Sequence, residues 1–167
     1  MTLEKKLSAQ IYLKPPNDFI IQNWQKLLPD WQIMPQSMII VLLHSSRALE
    51  NEGELIESEK ARLFTEFLEL AQSFKLRISQ ANFVSEIISP KDGMPQNSTK
   101  GDTHVDLVAT VHHALGLEFS RTTKGCKVLE HPLWQTRVYP GILLSQATVK
   151  VLESLFSFPV ETPPWLD

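Results

Sequence analysis

Apolar positions along the chain recur with two periods, and these predict its elements. Gln10–Lys14 reads as a short strand closed by Pro15-Pro16. Asn17 or Asp18 then caps a helix, because a short side-chain oxygen accepts from the free amides of a first turn. Ile20, Trp24, Leu27 and Leu28 recur at helical spacing until Pro29 denies the helix a donor, and Trp24 on that stripe belongs to the core. Met38–Leu43, MIIVLL, is too short for a helix and rich in Ile and Val, as in a strand buried on both faces. Ser45-Ser46-Arg47 at its end offers a phosphate or flavin contact only weakly, lacking a glycine-rich turn or helix N-terminus, so a solvated loop to Gly53 is the better reading.

Ser58 opens a strong helical pattern with Ala61, Phe64, Leu68 and Ala71 as its stripe and Phe67 and Phe74 alongside, running to Phe74. Asn82–Ile88 reads as a strand ended by Pro90 and the Asp92-Gly93 turn. A polar loop from Gly93 to Asp102 follows, the kind of segment that carries ligand-binding residues. Asp102 or Thr103 then caps a helix with Val105, Val108, Val111, Ala114 and Leu115 on its apolar side, ended by a left-handed Gly116. Lys127–Leu129 begins a strand, and Trp134–Ser145 reads as a long one. Pro140 and Gly141 place that second strand at an edge or a bulge. Val149–Phe156 is a closing helix. Several strand connections are too short for parallel crossovers, so the fold class is α+β: an antiparallel sheet with helices packed on it.

Composition narrows the class. A chain of 167 residues is one domain, here 1–167 with a proline-containing tail at 158–167. A net charge of −3 gives no footprint for nucleic acid. The longest wholly apolar run falls far short of the ~20 residues of a membrane helix. No secretory signal is visible, and a single cysteine suits a reducing compartment, so a cytoplasmic location is expected.

No phosphate loop, dinucleotide fingerprint or zinc spacing is present. His112 and His113 diverge by about 100° on a helix, one toward the core edge and one toward solvent. His44 and His104 have no companions in the sequence. Cys126 is different. A lone cysteine is usually a small buried hydrophobe, but Arg121, Lys124 and Lys127 flank this one, and nearby cations favour the thiolate. Gly125 clears space beside the sulfur. His131 as a general base would give a Cys–His pair, yet five residues along a regular strand the two side chains face opposite ways. His131 orienting the loop before Pro132 is the milder reading. Trp134 is a binding surface or, more simply, core.

Gly125-Cys126-Lys127-Val128, then His131, Leu133-Trp134, Thr136, Val138, Gly141 and Ala147-Thr148, resemble the methylmalonic aciduria and homocystinuria type D family of cobalamin-trafficking proteins. A weaker collinear match runs from the Trp24 helix onward and corresponds to the family's C-terminal domain. The resemblance implies a nitroreductase-like fold that does not bind flavin, so no FMN is expected. It also implies an adaptor without turnover chemistry, docking on a cobalamin-processing chaperone of the type C kind, with methionine synthase a candidate downstream. On this reading Cys126 is the thiolate ligand of the cobalt of partner-held cobalamin, supported by Gly125, Lys127, Lys124, Arg121, His131 and Trp134. Gly125 stands where animal members carry the first of two adjacent cysteines, which excludes vicinal dithiol chemistry. Self-association is left open. The competing readings are a flavin- or thiol-dependent oxidoreductase on the same scaffold and a plain interaction module whose cysteine is structural.

Overall fold

In a computed structural model of the protein, which describes residues 9–156, six strands and four helices build an α+β fold. The proline-containing tail expected at 158–167 lies outside the described residues. Strands β1 (Ala9–Lys14), β2 (Ser37–His44), β3 (Ser85–Ile88) and β6 (Val138–Ser145) form an antiparallel sheet in the order β1-β2-β6-β3. β4 (Glu118–Arg121) and β5 (Lys127–Glu130) form a separate hairpin. Among the described residues no helix is long and apolar enough to cross a membrane.

β2 shows why this sheet needs two covering layers. Successive strand residues face opposite sides, and all six of MIIVLL are buried. Met38, Ile40 and Leu42 join Ile20 and Leu27 of α1 (Asp18–Leu27) with Val111 and Leu115 of α3 (Leu107–Leu115). Ile39, Val41 and Leu43 join Leu63, Phe67 and Ile78 of α2 (Glu54–Gln80) with Leu152 and Phe156 of α4 (Val149–Phe156). Asn17 caps α1 as expected, accepting from the Ile20 amide at 2.9 Å, and Gly116 ends α3 in the left-handed region at φ 71°.

Several boundaries differ from those the sequence predicts. α2 begins at Glu54 instead of Ser58 and runs to Gln80 instead of Phe74. Its buried stripe is Ile56, Leu63, Phe67, Ala71, Phe74 and Ile78, with Ala61 exposed and Phe64 half-buried. The helix continues because Ile78 extends that period; Asn82 then turns the chain at φ 67°, so β3 begins only at Ser85. α3 is capped by Asp106, which accepts from Ala109 at 3.0 Å; neither Asp102 nor Thr103 has that role.

β6 is neither an edge strand nor bulged: it lies between β2 and β3, and its register with β2 is unbroken. Pro140 is tolerated there because β3 stops at Ile88 opposite Ile142, two positions short of it. The Ser45 amide bonds the Arg137 carbonyl, which sets the alternation and turns the proline nitrogen toward the side where β3 has ended. Gly141 is required by packing: a Cβ there would lie 2.2 Å from the Phe67 ring. The 94–100 segment is tied down along the free edge of β3. There the buried Glu86 carboxylate accepts from the amides of Asn97 and Ser98 and pairs with Lys75 at 3.1 Å.

Candidate functional site

The β4–β5 hairpin presents Cys126 at its tip. Arg121 and Lys127 form the last cross-strand pair, leaving residues 122–126 to turn the chain. Thr122 closes this loop three ways. Its amide donates to the Cys126 carbonyl at 2.8 Å, its carbonyl accepts from Gly125 at 2.9 Å, and its hydroxyl accepts from the Cys126 amide at 3.2 Å. Gly125 sits at φ 85° with open space around it, so backbone conformation calls for glycine at this position and crowding does not. The sulfur-bearing residue is exposed and unpaired.

The three flanking cations each have another partner. Lys127 donates to Asp106 at 2.5 Å and so pins the hairpin to the N-cap of α3. Burial pulls the Asp106 carboxyl upward, but Lys127 and the Ala109 amide outweigh it and hold the group below its ordinary range. Lys124 reaches Glu52 at 3.2 Å, between two largely exposed side chains. Arg121 donates to the Gly125 carbonyl at 3.2 Å, bracing the turn from outside.

His131 belongs to different architecture. It is 2% exposed, and its Nδ1 accepts from the amides of Leu133 (3.0 Å) and Trp134 (3.1 Å) while Nε2 donates to Gln10 Oε1 at 2.9 Å. Burial first, and the neighbouring His44 second, hold its pKa down at about 4. With both nitrogens committed, the ring holds the 131–135 turn, where His131 and Gln135 exchange backbone bonds. Trp134 lies in this turn and not in a strand; β6 starts four residues later, at Val138. Its ring is stacked between His131 (4.2 Å) and His44 (4.8 Å), an alignment that spacing along the chain does not reveal. His112 is half-buried, its Nδ1 donating to the Leu117 carbonyl at 2.6 Å, and His113 is exposed.

Ser45 and Ser46 hold no vacant anion site. The Glu59 carboxylate takes both hydroxyls and the Ser46 amide. Arg62 is the chief cause of the lowering of Glu59 to about 2. The bonds anchor the β2–α2 loop to its helix.

Beneath the Cys126 loop lies a groove of about 930 Å³. Leu107, Val108, Val128 and Pro140 supply apolar surface, and Tyr139 joins them with its phenol pushed up to about 12 by burial. The 49–54 segment forms the opposing wall, and Cys126, Lys124 and Lys127 line the same groove. Neither Asp106 nor this acidic wall stands out in the sequence, because their importance comes from pairing with residues far along the chain. Among the described residues no cluster of three metal-ligating side chains is present.

The arrangement is therefore an exposed soft nucleophile on a braced tip, beside a partly apolar groove, with no base hydrogen-bonded to the sulfur among the described residues. No curated protein sequence matches the chain. Residues 10–154, most of its length and all the elements around the groove, match the family model described as methylmalonic aciduria and homocystinuria type D protein, and the chain belongs to that family, whose role is in cobalamin metabolism.

Proposed function

We propose that the protein is a non-enzymatic cobalamin-trafficking adaptor that docks on a cobalamin-processing chaperone and offers the Cys126 sulfur to the cobalt of the cobalamin held there. The observation that carries this reading is the exposed cysteine on the Thr122–Cys126 loop in a chain of this family. A soft thiolate suits a metal centre with an open axial position. On ligation Cys126 gives up its proton to solvent, since the thiolate is the ligand. An exposed tip can reach a metal held in another protein, and the partner then shields the bond from water.

Gly125, Arg121 and Thr122 shape the turn, Lys124 and Lys127 brace it, and His131 with Trp134 holds the next turn along the chain. A flavin oxidoreductase fits less well. The lysines lining the groove are already paired with carboxylates, so among the described residues no unpaired lysine or arginine lines it to meet a phosphate.

Titrating the protein with aquocobalamin, with and without a type C chaperone, tests the proposal by absorbance. The corrin spectrum is expected to shift when all three components are present. A yellow purified protein that takes up FMN stoichiometrically, with no corrin shift, would replace this reading with the oxidoreductase one.

A further inference from the structure

We propose that the apolar groove beside the Cys126 loop receives a segment of the partner protein that carries lysine or arginine around an apolar tip. This rests on the adaptor reading above and names the chemistry of its docking surface.

The groove is large enough for several side chains, and Leu107, Val108 and Val128 give its lining an apolar part. An apolar lining with charged residues around it suits a partner segment that is apolar at its tip and charged beside it.

Charge decides which partner fits. Lys60, Lys124 and Lys127 line the groove and are paired with Glu57, Glu52 and Asp106. Glu50 and Glu54 line it too and have no ion-pair partner among the described residues, so the surplus is negative.

A second observation extends the same sign. At the far end of the hairpin Glu118 and Glu130 are direct cross-strand partners, and neither has a cation among the described residues. Like charges directly opposite destabilise a ladder. Both line a smaller groove of about 540 Å³, and Glu50 belongs to both grooves, which makes the acidic field continuous along the hairpin. Such a field repels phosphate-bearing partners and speeds encounter with a basic protein surface. A small cation would leave the apolar lining unused.

The test measures affinity for the cobalamin-loaded type C chaperone by calorimetry as salt is raised, for wild type, Glu50→Gln/Glu54→Gln, Glu118→Gln/Glu130→Gln and Leu107→Ala. The four glutamates are exposed and Leu107 is half-buried, and thermal melts check that each variant folds. Wild-type affinity is expected to fall with salt. Each double variant should weaken binding about tenfold at low salt with a shallower salt dependence, and Leu107→Ala should weaken it severalfold. Glu118→Gln/Glu130→Gln should also melt at or above the wild-type temperature, since it removes a repulsion.

Salt-independent binding, or variants that bind like wild type, would overturn the proposal while leaving cobalt ligation by Cys126 standing. The reverse failure is separable: Cys126→Ser that leaves the corrin spectrum unaltered removes the ligation reading, with the docking result unaffected. A free protein that dimerises, and that the same substitutions dissociate, would make a second copy the occupant and also overturn the proposal. Absence of any complex overturns both.

Discussion

Thr122 and Cys126 clasp the neck of the hairpin loop through two hydrogen bonds, the Thr122 amide to the Cys126 carbonyl at 2.8 Å and the Cys126 amide to the Thr122 hydroxyl at 3.2 Å. The first needs only backbone. The second depends on the threonine side chain, so the aim of the sulfur is separable from the strand pairing beneath it. Thr122→Val keeps the branched shape and removes the acceptor. Global stability should fall by only about 1 kcal/mol, the net worth of one hydrogen bond. The corrin shift should then require severalfold more protein, and Thr122→Ser should restore it. Equal titration curves for Val and Ser would show that the hydroxyl does not position Cys126.

Gly141 and Phe67 form the tightest packing requirement of the sheet. An added Cβ would sit 2.2 Å from the ring, closer than any real contact. Overpacking of this kind costs about 1–3 kcal/mol, so Gly141→Ala should lower the urea midpoint with the slope unchanged. Phe67→Leu in the same chain should recover part of the loss, because residues in direct contact are not additive. Additive losses would mean that the strand shifts and the ring does not.

The burial of His131 predicts a pH dependence. Its pKa is lowered from 6.5 to about 4, so between those values the unfolded chain binds a proton that the folded chain does not. The contribution is fully present above the unfolded value and is lost as pH falls toward the folded one. At about 1.4 kcal/mol per unit it amounts to at most about 3.5 kcal/mol. Glu59 acts in a lower window, from 4.5 down to about 2, which separates the two. Denaturation across mildly acid pH should show the decline in wild type and a flatter profile in His131→Asn. A variant with the wild-type slope would contradict this assignment.

Much of the scaffold was legible because its signals are local. Six consecutive apolar residues at Met38–Leu43 announce a strand covered on both sides, Asn17 precedes a helical stripe, and Gly116 follows one. The short strand β4 was not legible, since Glu118–Arg121 is four residues with a single apolar one and owes its form to pairing with β5. The same limit applies around the site. Cys126 announced itself through its neighbours, but whether Lys124 and Lys127 face the sulfur depends on Glu52 and Asp106, far along the chain and brought in only by folding. His44 looked solitary in sequence and stacks on Trp134 in space. Pro140 in a central strand was misleading for a related reason: one side of β6 loses its neighbour where β3 stops.

The central claim is that the Cys126 sulfur reaches cobalt in a partner-held cobalamin, and the most direct test is the corrin absorption spectrum of the cobalamin-loaded chaperone mixed with wild type or with Cys126→Ser. Cys126 is exposed, and its sulfur makes no hydrogen bond among the described residues, so the variant should melt like wild type. The account predicts a changed spectrum with wild type and an unchanged one with Cys126→Ser, although both proteins bind the chaperone. An identical spectral change with the two proteins would contradict it.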